Sequence, residues 1–149
     1  MMEDEAFMRL AVEEAEKALT GGNPPFGAVV VRGGQVIARG HNLTLSENDP
    51  TAHGEVVAIR RACRALAAPT LEGATLYTTC EPCLLCTGAV MAAKMRRVVI
   101  GATWAEAPAY FNNPQKGSLL SMAAHVAYPF QYTTGVLRED CLSLYTGEL

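Results

Sequence analysis

Long apolar runs are missing from this chain. None of its stretches approaches the about 20 apolar residues that a bilayer-spanning helix needs, so no membrane partner is expected. The opening "MMEDEAFMRL" is acidic and has no apolar core stretch, which excludes a secretory signal. Both absences give a cytoplasmic expectation. Internal repeats, low-complexity tracts and linkers are also lacking, so a single domain over residues 1–149 is expected. A basic surplus is absent too: 12 Lys and Arg face 15 Asp and Glu, for a net charge of −3 and a pI near 5.6. Proteins that hold nucleic acid through its phosphates usually carry a basic surface. A nucleic-acid partner therefore ranks below a small molecule. Finally, the cysteine count does not suit a disulfide framework. It is odd, and three of the five (Cys63, Cys80, Cys83, Cys86, Cys141) cluster in "CEPCLLC", residues 80–86.

Half the residues are apolar and 18% are charged, the composition of a globular domain. Apolar residues at helical spacing predict a helix over 5–19, ended by "TGGNPP". "FGAVVVR" and "QVIARGHN" flank Gly33–Gly34 and predict a β-hairpin. "LTLSENDPT" is expected to be a loop, 53–67 a second helix and "ATLYTT" a strand. Pro82 is expected at the first position of a buried helix over 83–94, because proline fits there. "RRVVIGA" is the next strand, and 103–117 an irregular stretch carrying Trp104, Tyr110 and Phe111. A short helix over 118–126, a strand in "FQYTTGV" and a helix over 138–146 complete the chain. Helices between strands, after an antiparallel hairpin, predict an α/β fold with a mixed sheet.

Cys83 and Cys86 lie three apart at a helix start, so both sulfurs face one way and the partial positive charge there favours thiolates. His53, at the start of another helix, is a third candidate ligand, and Glu55 follows it. Several holders of these groups compete. An iron–sulfur cluster wants a fourth cysteine nearby, whereas Cys63 and Cys141 are remote in sequence. A closed zinc site would add Cys80, leaving Glu55 and the aromatic stretch without a task. Plain buried cysteine is the bland alternative. An open zinc with three protein ligands, the catalytic arrangement, is favoured.

"HGE" followed by "PCLLC" resembles the H-x-E…P-C-x-x-C signature of the zinc-dependent nucleobase and nucleoside deaminases. "PPFGAVVV", "GHN", "NDPTAHGEVVAIRRAC" and "LYTTCEPCLLCTGA" extend the resemblance to the guanine deaminases, cytosine deaminases and tRNA adenosine deaminases over residues 5–102. The end, "GSLLSMAAH…GVLREDCLSL", is more similar to the tRNA adenosine deaminases. The resemblance implies a three-layer α-β-α sandwich around about five strands. It implies one Zn2+ held by His53, Cys83 and Cys86, and Glu55 as proton shuttle. It implies that Asn42 hydrogen-bonds the substrate and Phe26 stacks on the base. By composition alone Asn42 is a turn residue and Phe26 core. Hydrolytic deamination of a free base or small nucleoside is the expected function, guanine first and cytosine or a related amino-heterocycle next. A-to-I deamination of tRNA is the alternative, and a non-catalytic zinc-binding module comes last. A homodimer or higher homo-oligomer is implied as well. For an RNA substrate, Arg60, Arg61, Arg64 and Lys94, Arg96, Arg97 are the only basic clusters.

Overall fold

Gly33 and Gly34 both take positive φ, 60° and 76°, the backbone of a tight hairpin turn that other residues resist. They join β1 (Gly27–Arg32) to β2 (Gln35–His41). The computed structural model describes residues 2–106 and 118–145. Beyond the hairpin, β3 (Thr75–Cys80) pairs antiparallel with β1, and β4 (Arg97–Ala102) and β5 (Gln131–Thr133) follow in parallel. The order is β2-β1-β3-β4-β5, a five-stranded mixed sheet.

The strands are apolar on both faces because both are covered. Ala28, Val30, Leu76, Val98 and Ile100 pack on α3 (Gly54–Leu66), α4 (Leu84–Ala92) and α5 (Leu119–Ala123). Their neighbours Val29, Val31, Tyr77 and Val99 face α1 (Met2–Thr20) and α6 (Arg138–Ser143) through Met8, Ala11, Val12 and Cys141. The expected three layers are therefore present. Asp4 ties α1 to the sheet by accepting from Tyr77 Oη at 2.7 Å and pairing with Arg97 at 2.8 Å.

Three local expectations differ from the structure. Residues 44–47, expected in a loop, form the short helix α2 (Thr44–Glu47). Its first amides are met from a distance: Leu45 and Ser46 N–H donate to Asn23 Oδ1 at 3.0 and 3.1 Å. A tertiary cap of this kind leaves no periodicity in the helix itself. The helix after Pro82, expected to be buried over 83–94, begins at Leu84, because Cys83 is extended (φ −73°, ψ −176°) and bridges to Ser118. It buries only the face of Cys86, Thr87 and Val90, while Leu84 and Leu85 face outward. The last strand shrinks to three exposed residues at the sheet edge. Tyr110, Phe111 and residues 146–149 lie outside the described residues.

Contact between α3 and β2 sets where the chemistry can sit. A Cβ on Gly40 would meet Ala58 N at 2.5 Å and Gly54 O at 2.8 Å, both backbone atoms that cannot swing aside. Gly40→Ala is therefore expected to cost about 1–3 kcal/mol, as overpacking does. For a chain of this length that lowers the Tm by roughly 2–12 °C, read by thermal unfolding. An unchanged Tm would mean that α3 is not seated this closely.

Candidate metal centre

Two helix starts converge at one end of the sheet. His53 is the N-cap of α3 (φ −68°, ψ 153°), with its carbonyl accepting Val57 N–H at 2.9 Å. Cys83 is the N-cap of α4, its carbonyl accepting Thr87 N–H at 2.8 Å. Neither side chain caps its own helix, so both are free to turn toward a shared point. Cys86, one turn into α4, is fully buried. His53 Nδ1 lies 3.5 Å from Cys83 Sγ and 3.4 Å from Cys86 Sγ, and all three ligand atoms lie within 4.8 Å of one another.

That spacing suits a tetrahedral ion. Zinc–nitrogen and zinc–sulfur bonds of about 2.0–2.1 and 2.3 Å at the tetrahedral angle separate N from S by about 3.6 Å. The donor set, one imidazole and two thiols, is one that zinc takes. Among the described residues no fourth ligand joins the group. Cys80, the candidate for a closed site, instead points its Sγ to the Glu81 carbonyl at 3.5 Å. Cys63 and Cys141 are free thiols elsewhere.

The electrostatics are those of groups that want a cation. The Cys83 thiol is held well below its usual value, first by the hydrogen bond from Cys86, with His53 adding to the effect against burial. Cys86 moves up, through that same bond and its burial. The hydrogen bond with Cys83 raises His53 despite desolvation. Glu55, in the first turn of α3 and only 6% exposed, is pushed up to about 7, mainly by burial and then by the Cys83 charge. A divalent cation in the cluster would deprotonate the thiols and favour the carboxylate.

The remaining expected residues arrive from the hairpin. Asn42 N–H donates to the Phe26 carbonyl at 3.0 Å, so the two sit side by side where β1 begins and β2 ends. Gly54 lets the His53–Glu55 segment approach them, since a Cβ there would stand 3.0 Å from Phe26 O. Asn42 is buried, and its Oδ1 accepts from Thr44 N–H at 2.9 Å and Thr44 Oγ1 at 2.8 Å. This is the turn role that composition alone assigns it. The Phe26 ring packs on Tyr145, with centroids 6.0 Å apart.

The aromatic stretch, expected to lid the pocket or bury a dimer interface, brings Trp104 to the centre, and Glu81, to which the sequence assigns no role, stands beside it. Trp104 packs against Val56, Cys83 and Cys86. Glu81, 3% exposed, accepts Trp104 N–H at 3.0 Å and Leu120 N–H at 3.0 Å on its two carboxylate oxygens. The sequence held one signal for Glu81, an acidic residue set between a buried strand and a helix start.

The model of the cytidine and deoxycytidylate deaminase zinc-binding region matches residues 1–102. The chain belongs to that family. It is a zinc-binding enzyme of the deaminase kind, a hydrolase of C–N bonds. The tRNA-specific adenosine deaminase of Bacillus subtilis is 40% identical, over 100% of this chain and 92% of its own length. The guanine deaminase of the same organism is 45% identical over 71% of this chain and 69% of its own. A solved chain from work on A-to-I editing by tRNA:A34 deaminases superposes with a TM-score of 0.79 at 36% identity, covering 93% of this chain and 98% of its own. No described helix is long and apolar enough to cross a membrane.

Proposed function

We propose that the chain deaminates adenosine in transfer RNA. The tRNA-specific enzyme of Bacillus subtilis is 40% identical through the whole chain, whereas the guanine deaminase of that organism matches 71% of it and a solved guanine deaminase that covers 95% is 28% identical. This difference in sequence carries the reading. The residues that separate the two touch the metal loop. Leu119 N–H donates to the Pro82 carbonyl at 2.9 Å, and Ser118 bridges to Cys83.

His53, Cys83 and Cys86 would hold the zinc, which when bound supplies the Lewis acidity that makes water nucleophilic near neutral pH. Glu55 takes a proton from the attacking water and delivers it to the ring nitrogen beside the attacked carbon. It then takes the remaining proton of the hydroxyl added to the ring carbon and passes it to the exocyclic amine, which leaves as ammonia as the carbonyl forms. A carboxylate outside the ligand set suits this shuttle, because it accepts and donates at nearly one place. Asn42 would hold the base edge and Phe26 would line the pocket. Leu84 and Leu85, 43% and 39% exposed at the start of α4, form an apolar step beside the site that a second copy of the chain would cover.

A second reading, deamination of free guanine, has its own support. Three of the six clustered cations are committed within the chain. Arg60 pairs with Asp49 at 3.6 Å, Arg61 donates to the Arg39 carbonyl at 3.0 Å, and Arg97 is bound to Asp4. A cavity of about 870 Å³ that includes Lys94, Arg96 and Arg97 lies at the opposite end of β3 and β4 from the metal centre. Ammonia release should therefore be measured on a tRNA anticodon stem-loop, guanine, cytosine, adenine and their nucleosides. Inosine in the stem-loop, with a rate falling as salt rises, is the expected result. Turnover of guanine with an untouched stem-loop would establish the second reading.

A further inference from the structure

Glu81 is a buried carboxylate that deamination itself does not use, and its bonding is unusual for such a group. Its two oxygens accept backbone N–H groups from separate segments, Trp104 at 3.0 Å and Leu120 at 3.0 Å. Its own carbonyl accepts the indole Nε1–H of Trp104 at 2.9 Å, and its N–H donates to Ala102 O at 2.9 Å. One residue, two positions before Cys83, thus fixes both the backbone and the ring of Trp104. The ring it fixes is half-buried against Val56 and the two cysteine ligands. The indole thus stands in the same cluster as the two cysteines to which a flat heterocycle would bring its reacting carbon.

We propose that Glu81 is a positioning residue that sets Trp104 as a wall of the substrate site, where the indole takes the face of a purine ring. The assignment rests on the purine-deaminase reading above and deepens it. Glu81→Gln tests it, because the amide keeps one acceptor and turns the other into a donor, so only one of the two N–H groups is still met.

The chain has a single tryptophan, so its emission reports this contact alone. The measurements are zinc content, steady-state deamination of the stem-loop and of guanine, and tryptophan emission, for the wild type, Glu81→Gln, Trp104→Ala and the double variant. Glu81→Gln should keep stoichiometric zinc and nearly the wild-type kcat, and its emission should move to longer wavelength. Trp104→Ala should raise KM by about 5–150-fold, the range for losing a base–aromatic stack. Glu81→Gln should raise KM in the wild-type background and add nothing in the Trp104→Ala background. An unshifted emission, a fall in kcat at constant KM, or additive effects in the double variant would each overturn the proposal. If only guanine is deaminated, the RNA reading fails and the same cycle is read on guanine. If neither is deaminated, the functional reading fails. Quenching of the emission by added guanine, weakened in Glu81→Gln, then supports the wall, and its absence overturns it.

Discussion

Glu55→Gln is expected to retain one zinc per chain and to lose deamination by about 10²–10⁴-fold, the usual contribution of a positioned acid–base group. This corresponds to roughly 3–5 kcal/mol of transition-state stabilisation. The amide fills the same space in the first turn of α3, so the fold has no reason to change. The side chain is only 6% exposed and burial is the main force raising its pKa, so a neutral replacement removes a desolvation cost and the Tm should not fall. What disappears is the capacity to take up one proton and return it at nearly the same place. Metal analysis beside ammonia release on the active substrate is the check. Near-normal turnover in a zinc-replete variant would remove Glu55 from the reaction.

Cys83→Ser should act on the metal instead. The hydroxyl is a far weaker zinc ligand than a thiolate, and the two remaining donors, His53 and Cys86, come from different helices. Zinc content after dialysis should fall from stoichiometric to trace. Stability should fall with it, since an ion that binds only the folded chain contributes about 2.7 kcal/mol when present at 100 times its dissociation constant. At this chain length that is a Tm lower by roughly 5–11 °C. Full zinc occupancy in the variant would count against Cys83 as a ligand.

The sequence exposed the sheet and the metal centre well because both rest on local patterns. Gly33–Gly34 between two β-rich runs implies a hairpin, and the hairpin observed has both glycines at positive φ. The spacing of Cys83 and Cys86 at a helix start implies two sulfurs on one side, and both lie within 4.8 Å of the His53 ligand atom. What stayed hidden depends on residues far apart in the chain. Asn23 caps α2 from more than twenty positions away, so Thr44–Glu47 read as loop. Ser118 draws Cys83 into an extended bridge, so α4 starts after both Pro82 and Cys83. Glu81 takes partners at positions 104 and 120, which no window around "CEPC" reveals. Substrate preference was the least legible. Residues 5–102 carry a signature common to several deaminases, and the C-terminal elements that follow have weak periodicity.

The Gly33–Gly34 turn stands at the far end of β1 from Phe26, Asn42 and the ligands. Chain added there, such as an affinity handle, a fluorophore or a permuted terminus, would project away from the reacting groups. The protein could be anchored to a surface at that corner without covering the end of the sheet where the candidate metal centre lies.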